Sequence, residues 1–447
     1  MSSNGLLLST LCKGLLDGPD GAMANQPYWW DAAPPQADLV DLPRQIDVAV
    51  VGSGFTGLSA ALALLRRGHS VAVFDRGVPG FGASTRNGGQ VGSGNQKFRV
   101  RSLIEMRGEA KAVALLREGV AMLDHIEQLL ADERIDCHFS RCGRFRGAMR
   151  PEHYDSMARD LDDLRRHVGV ESIVVPRAEQ HREIASDLFH GGTVLPHDAA
   201  VHPGLYHAGL LRRVREAGGV ILGLTPVDSS AAQGAGFSVR TPRGEVMARD
   251  VIVATNGYTQ NMHSHLDQRI VPVGSAVIAT EPLAPGLIQQ LMPGRRMYGN
   301  TNRVFSYFRA APDQDRIVWG GRVGRGFAPD SPFAFAHLAR DLRRTFPQLG
   351  DVRITHGWSG QIGYTFDSLP HLGKTPDGIH YAMGYCGTGV SRSTWFGHKI
   401  ALKLLGDAEG ATAFDDIAFP THPFHALAPS MVPAYEAWYR MRDALDF

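Results

Sequence analysis

The chain has 447 residues, 43% of them hydrophobic, which is enough for two or three domain-sized cores; its 46 basic residues against 45 acidic ones leave a formal net charge of +1. That balance excludes a global field for nucleic acid or an anionic membrane surface. Four cysteines (Cys12, Cys137, Cys142, Cys386) form no CxxC and no His/Cys ligand spacing, so neither a metal site nor a disulfide framework is expected, and free thiols suit a reducing cytoplasm.

Residues 1–27 read as a loose extension. Leu6-Leu7-Leu8 and Ala22-Met23-Ala24 imitate a signal peptide, but no positive charge precedes the leucines, and Lys13, Asp17 and Asp20 interrupt the run. No later segment is long enough to span a bilayer. Tyr28-Trp29-Trp30, ahead of a proline-rich stretch, reads as an anchored arm packed on the body of the protein, with closure of an active site as the lesser alternative.

The apolar run from Ile46 to Val51 predicts a strand, Gly52-Ser53-Gly54-Phe55-Thr56-Gly57 a glycine turn, and Leu58 to Arg67 a helix. Such a turn lets backbone approach a pyrophosphate while free amides at the helix start face the phosphates. A second strand, Ser70 to Phe74, ends about 20 residues on in Asp75, which is placed to bind ribose hydroxyls. Strand, turn, helix and acid in this order point to a dinucleotide; a plain glycine turn between packed elements is the alternative. Gly80 to Gln90 is too rich in glycine for helix or strand and suits a loop against a flat or anionic ligand.

Apolar spacing predicts helices over Glu109–Leu130, Glu152–His167 and His202–Val214, strand material over Cys137–Met149, and a short buried strand at Gly219–Leu222. Phe237–Arg240, Glu245–Ala248 and Asp250–Thr255 read as a small meander, the last strand stopping at the small residues Thr255-Asn256-Gly257. Arg269–Thr280, Arg303–Arg309 and Arg316–Trp319 alternate as strands of a second sheet, covered by a helix over Phe333–Phe346. The strand Ile379–Met383 then leads through Gly387-Thr388-Gly389-Val390 into a helix to Leu405.

Five ordered blocks, GSGFTGLSAAL, GFGASTRNGGQ, ATNGYT, WSGQIGYTFDSLPHLG and GYCGTGV, resemble the D-amino acid oxidase superfamily of FAD-dependent oxidoreductases. Within it they are similar to the glycine/sarcosine oxidase-like group and its gamma-glutamylputrescine oxidase branch. The resemblance implies an α/β fold in which a Rossmann-like FAD-binding domain (28–136, 201–261 and 354–447) is interleaved with an α+β substrate domain on an antiparallel sheet (137–200 and 262–353). It implies FAD as cofactor, with Gly52, Gly54, Phe55, Thr56 and Gly57 at the pyrophosphate, Asp75 and Arg76 on the adenosine side and Val227 at the adenine. Gly82, Ala83, Ser84, Thr85, Arg86, Asn87, Gly88 and Gly89 would meet the isoalloxazine, with Thr255, Asn256, Gly257, Trp358 and Gly360 around it and Gly387, Thr388, Gly389 and Val390 at its pyrimidine edge.

The implied reaction is oxidation of an amine C–N bond by hydride transfer to flavin, giving an imine that water hydrolyses. The expected partners are a small amine and dioxygen or another electron acceptor, in the cytoplasm. A gamma-glutamylated polyamine is the expected substrate; an amino-acid or N-methyl-amino-acid oxidase or dehydrogenase, and a non-catalytic flavin-binding assembly factor, are the alternatives. Thr388, Tyr307, Arg309 and Tyr364 are the catalytic candidates, with Tyr298 and Arg322 as further pocket candidates. His197, His202, His356 and His371 have no triad or metal partner in the pattern. No cysteine lies near Gly360, which argues for non-covalent flavin. No lysine lies in Arg316–Gly321, where sarcosine oxidases of the group carry one for reaction with oxygen, which leaves the acceptor open. Thr85 and Thr388 stand where the gamma-glutamylputrescine oxidase branch can carry glycine and histidine, which leaves the substrate open.

Overall fold

A computed structural model describes residues 23–38, 40–93, 97–259, 261–323 and 331–445. The strand Gln45–Val51 lies at the centre of the first sheet, between Val71–Phe74 and Gly244–Val253, parallel to both. Its β-branched residues are buried on both faces, as central parallel strands require: Val48 and Val50 pack under the helix Phe55–Leu65, while Ala49 and Val51 enter the core on the opposite side. Val220–Leu222 extends this sheet beyond Val71–Phe74, and His380–Met383 and His371–Lys374 extend it beyond Gly244–Val253.

The helix Phe55–Leu65 approaches the strand so closely that a side-chain carbon on Gly57 would overlap the Gly52 carbonyl oxygen and lie 3.2 Å from Val50 Cγ1. The helix Gly389–Leu404 crosses it with equal intimacy, since a side-chain carbon on Gly397 would lie 3.0 Å from the Thr56 carbonyl carbon. Thr56 Oγ1 and Tyr385 Oη, 2.7 Å apart, bond the two helix starts side by side.

The second sheet runs in the order Ile354–Tyr364, Val271–Thr280, Ile317–Arg322, Tyr307–Ala310, Met297–Asn300, Arg144–Gly147, Gly192–Leu195 and Ile173–Val175. Its pairings are antiparallel except for Met297–Asn300 with Arg144–Gly147. The pleat divides it cleanly. One face carries Phe145, Tyr298, Phe308, Trp319 and Ile278 into a core closed by the helix Ala336–Thr345, with Tyr298, Phe308 and Trp319 stacked at centroid spacings of 5.3 and 4.1 Å. The other face, carrying Arg146, Gly299, Tyr307 and Gly320 in one register row, turns toward the first sheet.

The interleaved α/β architecture expected from the motifs is what the structure shows, with several elements redrawn. Residues 1–22 lie outside the described residues, but from Met23 onward the chain is not loose: Met23 is buried and Ala24 pairs between Thr355 and Gly357. Ile354–Tyr364, expected with the first domain, is hydrogen-bonded along its length to Val271–Thr280 in the second sheet. The strand material of Cys137–Met149 shrinks to Arg144–Gly147, that of Arg303–Arg309 begins only at Tyr307, and the two later meander strands are one, Gly244–Val253. A helix that the sequence reading missed, Ala428–Leu445, packs near Val271–Thr280 and is pinned by Asp443, which accepts from the Arg303 and Val304 amides at 3.1 Å. No helix among the described residues is long and apolar enough to cross a membrane.

Candidate active site

A single cleft of about 2130 Å³ runs from the glycine turn of the first sheet, past the loop Gly80–Gln90, to the polar face of the second sheet, under the helix Ala428–Leu445. At the first end, Gly52 takes φ +105°, which a side chain would strain, and a side-chain carbon on Gly54 would lie 2.9 Å from Ser84 Oγ. Asp75 closes the turn: its Oδ2 accepts from the Ser53 amide at 3.0 Å and from the Ser53 hydroxyl, and its Oδ1 from the Gly77 amide at 2.9 Å. Carboxylate oxygens accept more than one hydrogen bond, so ribose hydroxyls remain within its capacity. Arg76, Val227, Thr255 and Asn256 line this end.

The middle of the cleft is bounded by the loop Gly80–Gln90, and the aromatic arm explains its shape. Trp29 Nε1 donates to the Asn87 carbonyl at 2.8 Å and Trp30 Nε1 to Thr85 Oγ1 at 2.9 Å, while Trp358 Nε1 donates to the Arg86 carbonyl at 2.9 Å. Three indoles therefore hold the loop from behind. Gly82, Ala83, Ser84, Arg86, Asn87 and Gly88 face the cleft; Thr85 does not, because it is buried against Trp30 and the Gly80 carbonyl. Trp358, Gly57, Gly89 and Gly257 likewise lie behind the lining and set its position. Gly360 is on it.

Beyond this loop the helix Gly389–Leu404 opens onto the cleft with Gly387, Thr388, Gly389 and Val390 on the lining. Thr388 is the residue before the helix and gives it no side-chain cap; its hydroxyl donates to the Tyr385 carbonyl at 3.2 Å. The first amides of the helix are thus available to negative charge in the cleft.

The catalytic candidates separate. Tyr307 lines the cleft, its ring slotted beneath Gly88, where a side-chain carbon would lie 2.7 Å from Cε2; burial raises its phenol pKa. Arg309, expected at the substrate, is a structural clamp: it is buried, and its guanidinium donates to the carbonyls of Gly89, Val201 and Ala310 at 2.9 to 3.0 Å. Tyr298, another pocket candidate, points into the opposite core, with its hydroxyl donating to the Glu183 carbonyl at 2.9 Å.

Tyr364 and Arg322 do meet, and a lysine joins them. Lys97 Nζ and Arg322 Nη2 donate to Tyr364 Oη at 2.8 and 3.0 Å, and Glu436 of the unforeseen helix lies 3.5 Å from Arg322 Nε. Burial pushes the Tyr364 phenol up, but the neighbouring charges of Arg322 and Lys97, with their hydrogen bonds, outweigh it and hold the pKa below its ordinary value. Sequence reasoning looked for a lysine in the strand now seen as Ile317–Arg322; Lys97 reaches the same cleft from the loop after Gln90. His207, also missed, is buried with Nε2 2.7 Å from the Ser53 carbonyl and braces the glycine turn. Among the described residues no cluster of His, Cys, Asp or Glu is arranged to hold a metal ion.

Two helix starts, a glycine turn that admits backbone to a phosphate, a carboxylate at the second strand end and a loop held by indoles open on one cleft, a donor set that fits FAD in extended form. They define a dinucleotide-dependent oxidoreductase. The chain belongs to the DAO family of FAD-dependent oxidoreductases, whose model matches residues 47–402. It is 32% identical over 406 residues to gamma-glutamylputrescine oxidoreductase of Escherichia coli, covering 89% of this chain and 93% of that one. The crystal structure of glycine oxidase from Geobacillus kaustophilus superposes with a TM-score of 0.70 at 21% identity, over 85% of this chain and 99% of the other. That of L-proline dehydrogenase from P. horikoshii gives 0.69 at 18%, over 83% and 96%. The chain is an FAD-dependent enzyme of a family whose relatives act on amines and amino acids.

Proposed function

We propose that the enzyme oxidises the terminal amine of a gamma-glutamylated diamine such as gamma-glutamylputrescine, as a step of polyamine breakdown in the cytoplasm, with dioxygen as acceptor. The observation that carries this reading is the length of the cleft, which continues past the glycine loop along a polar sheet face, coupled with the likeness to gamma-glutamylputrescine oxidoreductase over most of both chains. In this reading Gly52, Gly54, Phe55, Thr56, Asp75, Arg76 and Val227 hold the adenosine diphosphate portion of FAD, Gly82, Ala83, Ser84, Arg86, Asn87, Gly88 and Gly360 the ring system, and Gly387 to Val390 its pyrimidine edge. When bound, FAD would supply the acceptor for a hydride from the carbon beside the substrate nitrogen; the imine that leaves is hydrolysed by water to an aldehyde and ammonia.

The chain's own part is placement, charge and protons. The Gly389 and Val390 amides, at an uncapped helix start on the cleft lining, would stabilise the negative charge that arrives with the hydride on bound FAD. Tyr307 and Gly88 fix the wall against which the amine lies. The tyrosinate form of Tyr364, which the charges of Lys97 and Arg322 favour, accepts the proton that an ammonium must lose before it can give up hydride. Lys97 also supplies the cleft with a fixed positive charge, which supports dioxygen as acceptor.

An anaerobic screen tests the reading. Gamma-glutamylputrescine is expected to bleach the flavin with the highest specificity constant, ahead of sarcosine, glycine and D-amino acids. A tenfold preference for one of the amino acids, about 1.4 kcal/mol, would hand the function to the amino-acid alternative, and failure of every amine to bleach would favour the assembly factor. Acid precipitation should leave the yellow colour in the supernatant, since no cysteine lies near Gly360; flavin in the pellet would refute non-covalent binding.

A further inference from the structure

Two strands across the second sheet from Tyr307, the cleft has a composition that the flavin chemistry does not use. Arg144 and Arg146 stand two apart on one strand and so share the face toward the cleft. Arg144 is spoken for: its Nε lies 3.3 Å from Asp198 Oδ2, a buried carboxylate that the Ser93 amide also reaches. Arg146 is different. Among the described residues its one hydrogen bond is a long one, 3.5 Å from Nε to the Asn300 carbonyl, and no carboxylate lies within ion-pair distance. Its side chain is exposed in area, yet burial pulls its guanidinium pKa down, so the area it exposes is cleft wall in the interior.

The other charges acting on Arg146 are those of Arg99 and Arg144, which repel it, and Asp160, which attracts it. Asp160 lines the same region from the helix Pro151–Val168, with Oδ1 accepting from the Val100 amide at 2.9 Å. Burial raises the Asp160 pKa against the pull of that amide and of Arg99 and Arg146. An enclosed guanidinium and a carboxylate on one wall, neither of them in an ion pair among the described residues, match the two charges of an α-amino acid head group.

The register links this region to the reacting one. Arg146 pairs with Gly299, Gly299 with Tyr307, and all three present the cleft face. Gly299 has no side chain, so a trough runs across the sheet between Arg146 and Tyr307, two strand spacings or roughly 10 Å long at the backbone. A free amino acid, whose carboxylate and amine share one carbon, cannot reach both ends. A gamma-glutamyl diamine separates them by the glutamyl side chain, an amide and the diamine carbons.

We infer that Arg146 and Asp160 form a head-group subsite for the α-carboxylate and α-ammonium of a gamma-glutamyl amide, with the rest of the substrate lying along the Gly299 trough. The inference rests on the diamine reading above only for the choice of head group. It is tested on the FAD-loaded enzyme by calorimetric titration with gamma-glutamylbutylamide, which keeps the head group and lacks the amine to be oxidised, against N-acetylbutylamide, which lacks the head group. The wild type is expected to bind the first at least tenfold more tightly, about 1.4 kcal/mol. Arg146→Gln abolishes that preference, Arg146→Lys restores part of it, and Asp160→Asn reduces it. Equal affinity of the two amides in the wild type, or a preference undiminished in Arg146→Gln, overturns the subsite. A preference present and lost in Arg146→Gln, with no gamma-glutamyl diamine reducing the flavin, upholds the subsite while refuting the diamine reading.

Discussion

Gly389→Asp isolates the role of the helix start from that of packing. Gly389 is the first residue of Gly389–Leu404, no side chain caps the helix, and a side-chain carbon there would meet nothing nearer than Tyr385 Cβ at 4.0 Å. Aspartate therefore enters without repacking, and its carboxylate beside the open amides contributes about 0.3–1 kcal/mol to the helix. The same carboxylate opposes the charge delivered with the hydride. Two unit charges about 4 Å apart interact by about 4 kcal/mol at an effective dielectric of 20; water in the cleft and the freedom of the side chain reduce this to on the order of 1–2 kcal/mol. For a two-electron couple that is a flavin potential more negative by about 20–45 mV, and in rate a slowing of flavin reduction by roughly 5- to 30-fold. Potentiometric titration and anaerobic stopped-flow measure the two effects, and calorimetry checks that the melting temperature holds or rises. A folded, FAD-loaded variant with unchanged potential and reduction rate would refute the argument and leave this turn to architecture alone.

Gly57→Ala should lose flavin and stability together, because the added carbon overlaps the Gly52 carbonyl; overpacking of this kind costs about 1–3 kcal/mol or more, read as a lower melting temperature and a lower flavin-to-protein absorbance ratio. Arg309→Met strands the Val201 carbonyl without a donor, at about 1–3 kcal/mol, and leaves the Gly89 carbonyl only the Val201 amide, so it should lower stability and flavin retention while KM for the amine in the loaded fraction holds; a raised KM without loss of stability would return Arg309 to the substrate. The Tyr364 phenol, held below its ordinary value of about 10, should give the earliest tyrosinate transition in an ultraviolet difference titration, and Lys97→Met should move it up. The sign for stability follows from linkage: the tyrosinate contribution is fully present above the ordinary pKa and is lost as pH falls through the depressed one. An unmoved first transition in Lys97→Met would detach Lys97 from Tyr364.

What the sequence revealed was what depends on local order. The strand, glycine turn, helix and acid from Ile46 to Asp75 are contiguous; the requirement for a small residue at Gly57 is imposed by Gly52 and Val50 within the same unit and that at Gly52 already by its own φ of +105°, whereas the space beside Gly52 and Gly54 is closed by Ala254, Thr255 and Ser84 from elsewhere in the chain. The sheet face of a side chain is a different matter, because a shift of one residue in register exchanges the two faces. Tyr298 and Tyr307 both sit in short alternating strands and look equivalent in the sequence. The pairing of Tyr298 with Phe308 sends one to the core, and the pairing of Gly299 with Tyr307 sends the other to the cleft. Arg309 shares the cleft face with Tyr307 but lies beyond the edge of the cleft, behind the Gly89 turn, a placement set by the long-range contact with Val201.

The same reasoning explains why the charged residues of the cleft were the least legible. Lys97 and Tyr364 are 267 positions apart and Arg322 and Tyr364 are 42 apart, so no spacing rule joins them. Arg144 and Arg146 read locally as an exposed alternation on an unremarkable strand, and only the parallel pairing with Met297–Asn300 sets Arg146 in line with Tyr307. The glycine motifs serve a cofactor shared across the family, and their chemistry is written in consecutive backbone. Selection among amines falls instead on side chains that meet through the second sheet, where Gly299 keeps the path between Arg146 and Tyr307 clear. Filling that path with Gly299→Val should therefore discriminate by length. A side-chain carbon at Gly299 meets the Ser306 carbonyl oxygen only at 3.5 Å, so the backbone can accept it, and the added methyls stand in the trough. KM for a gamma-glutamyl diamine should rise at least tenfold, about 1.4 kcal/mol, while short amines that engage only the Tyr307 end are affected less. Equal losses for long and short amines would show that the trough is not the path the substrate takes.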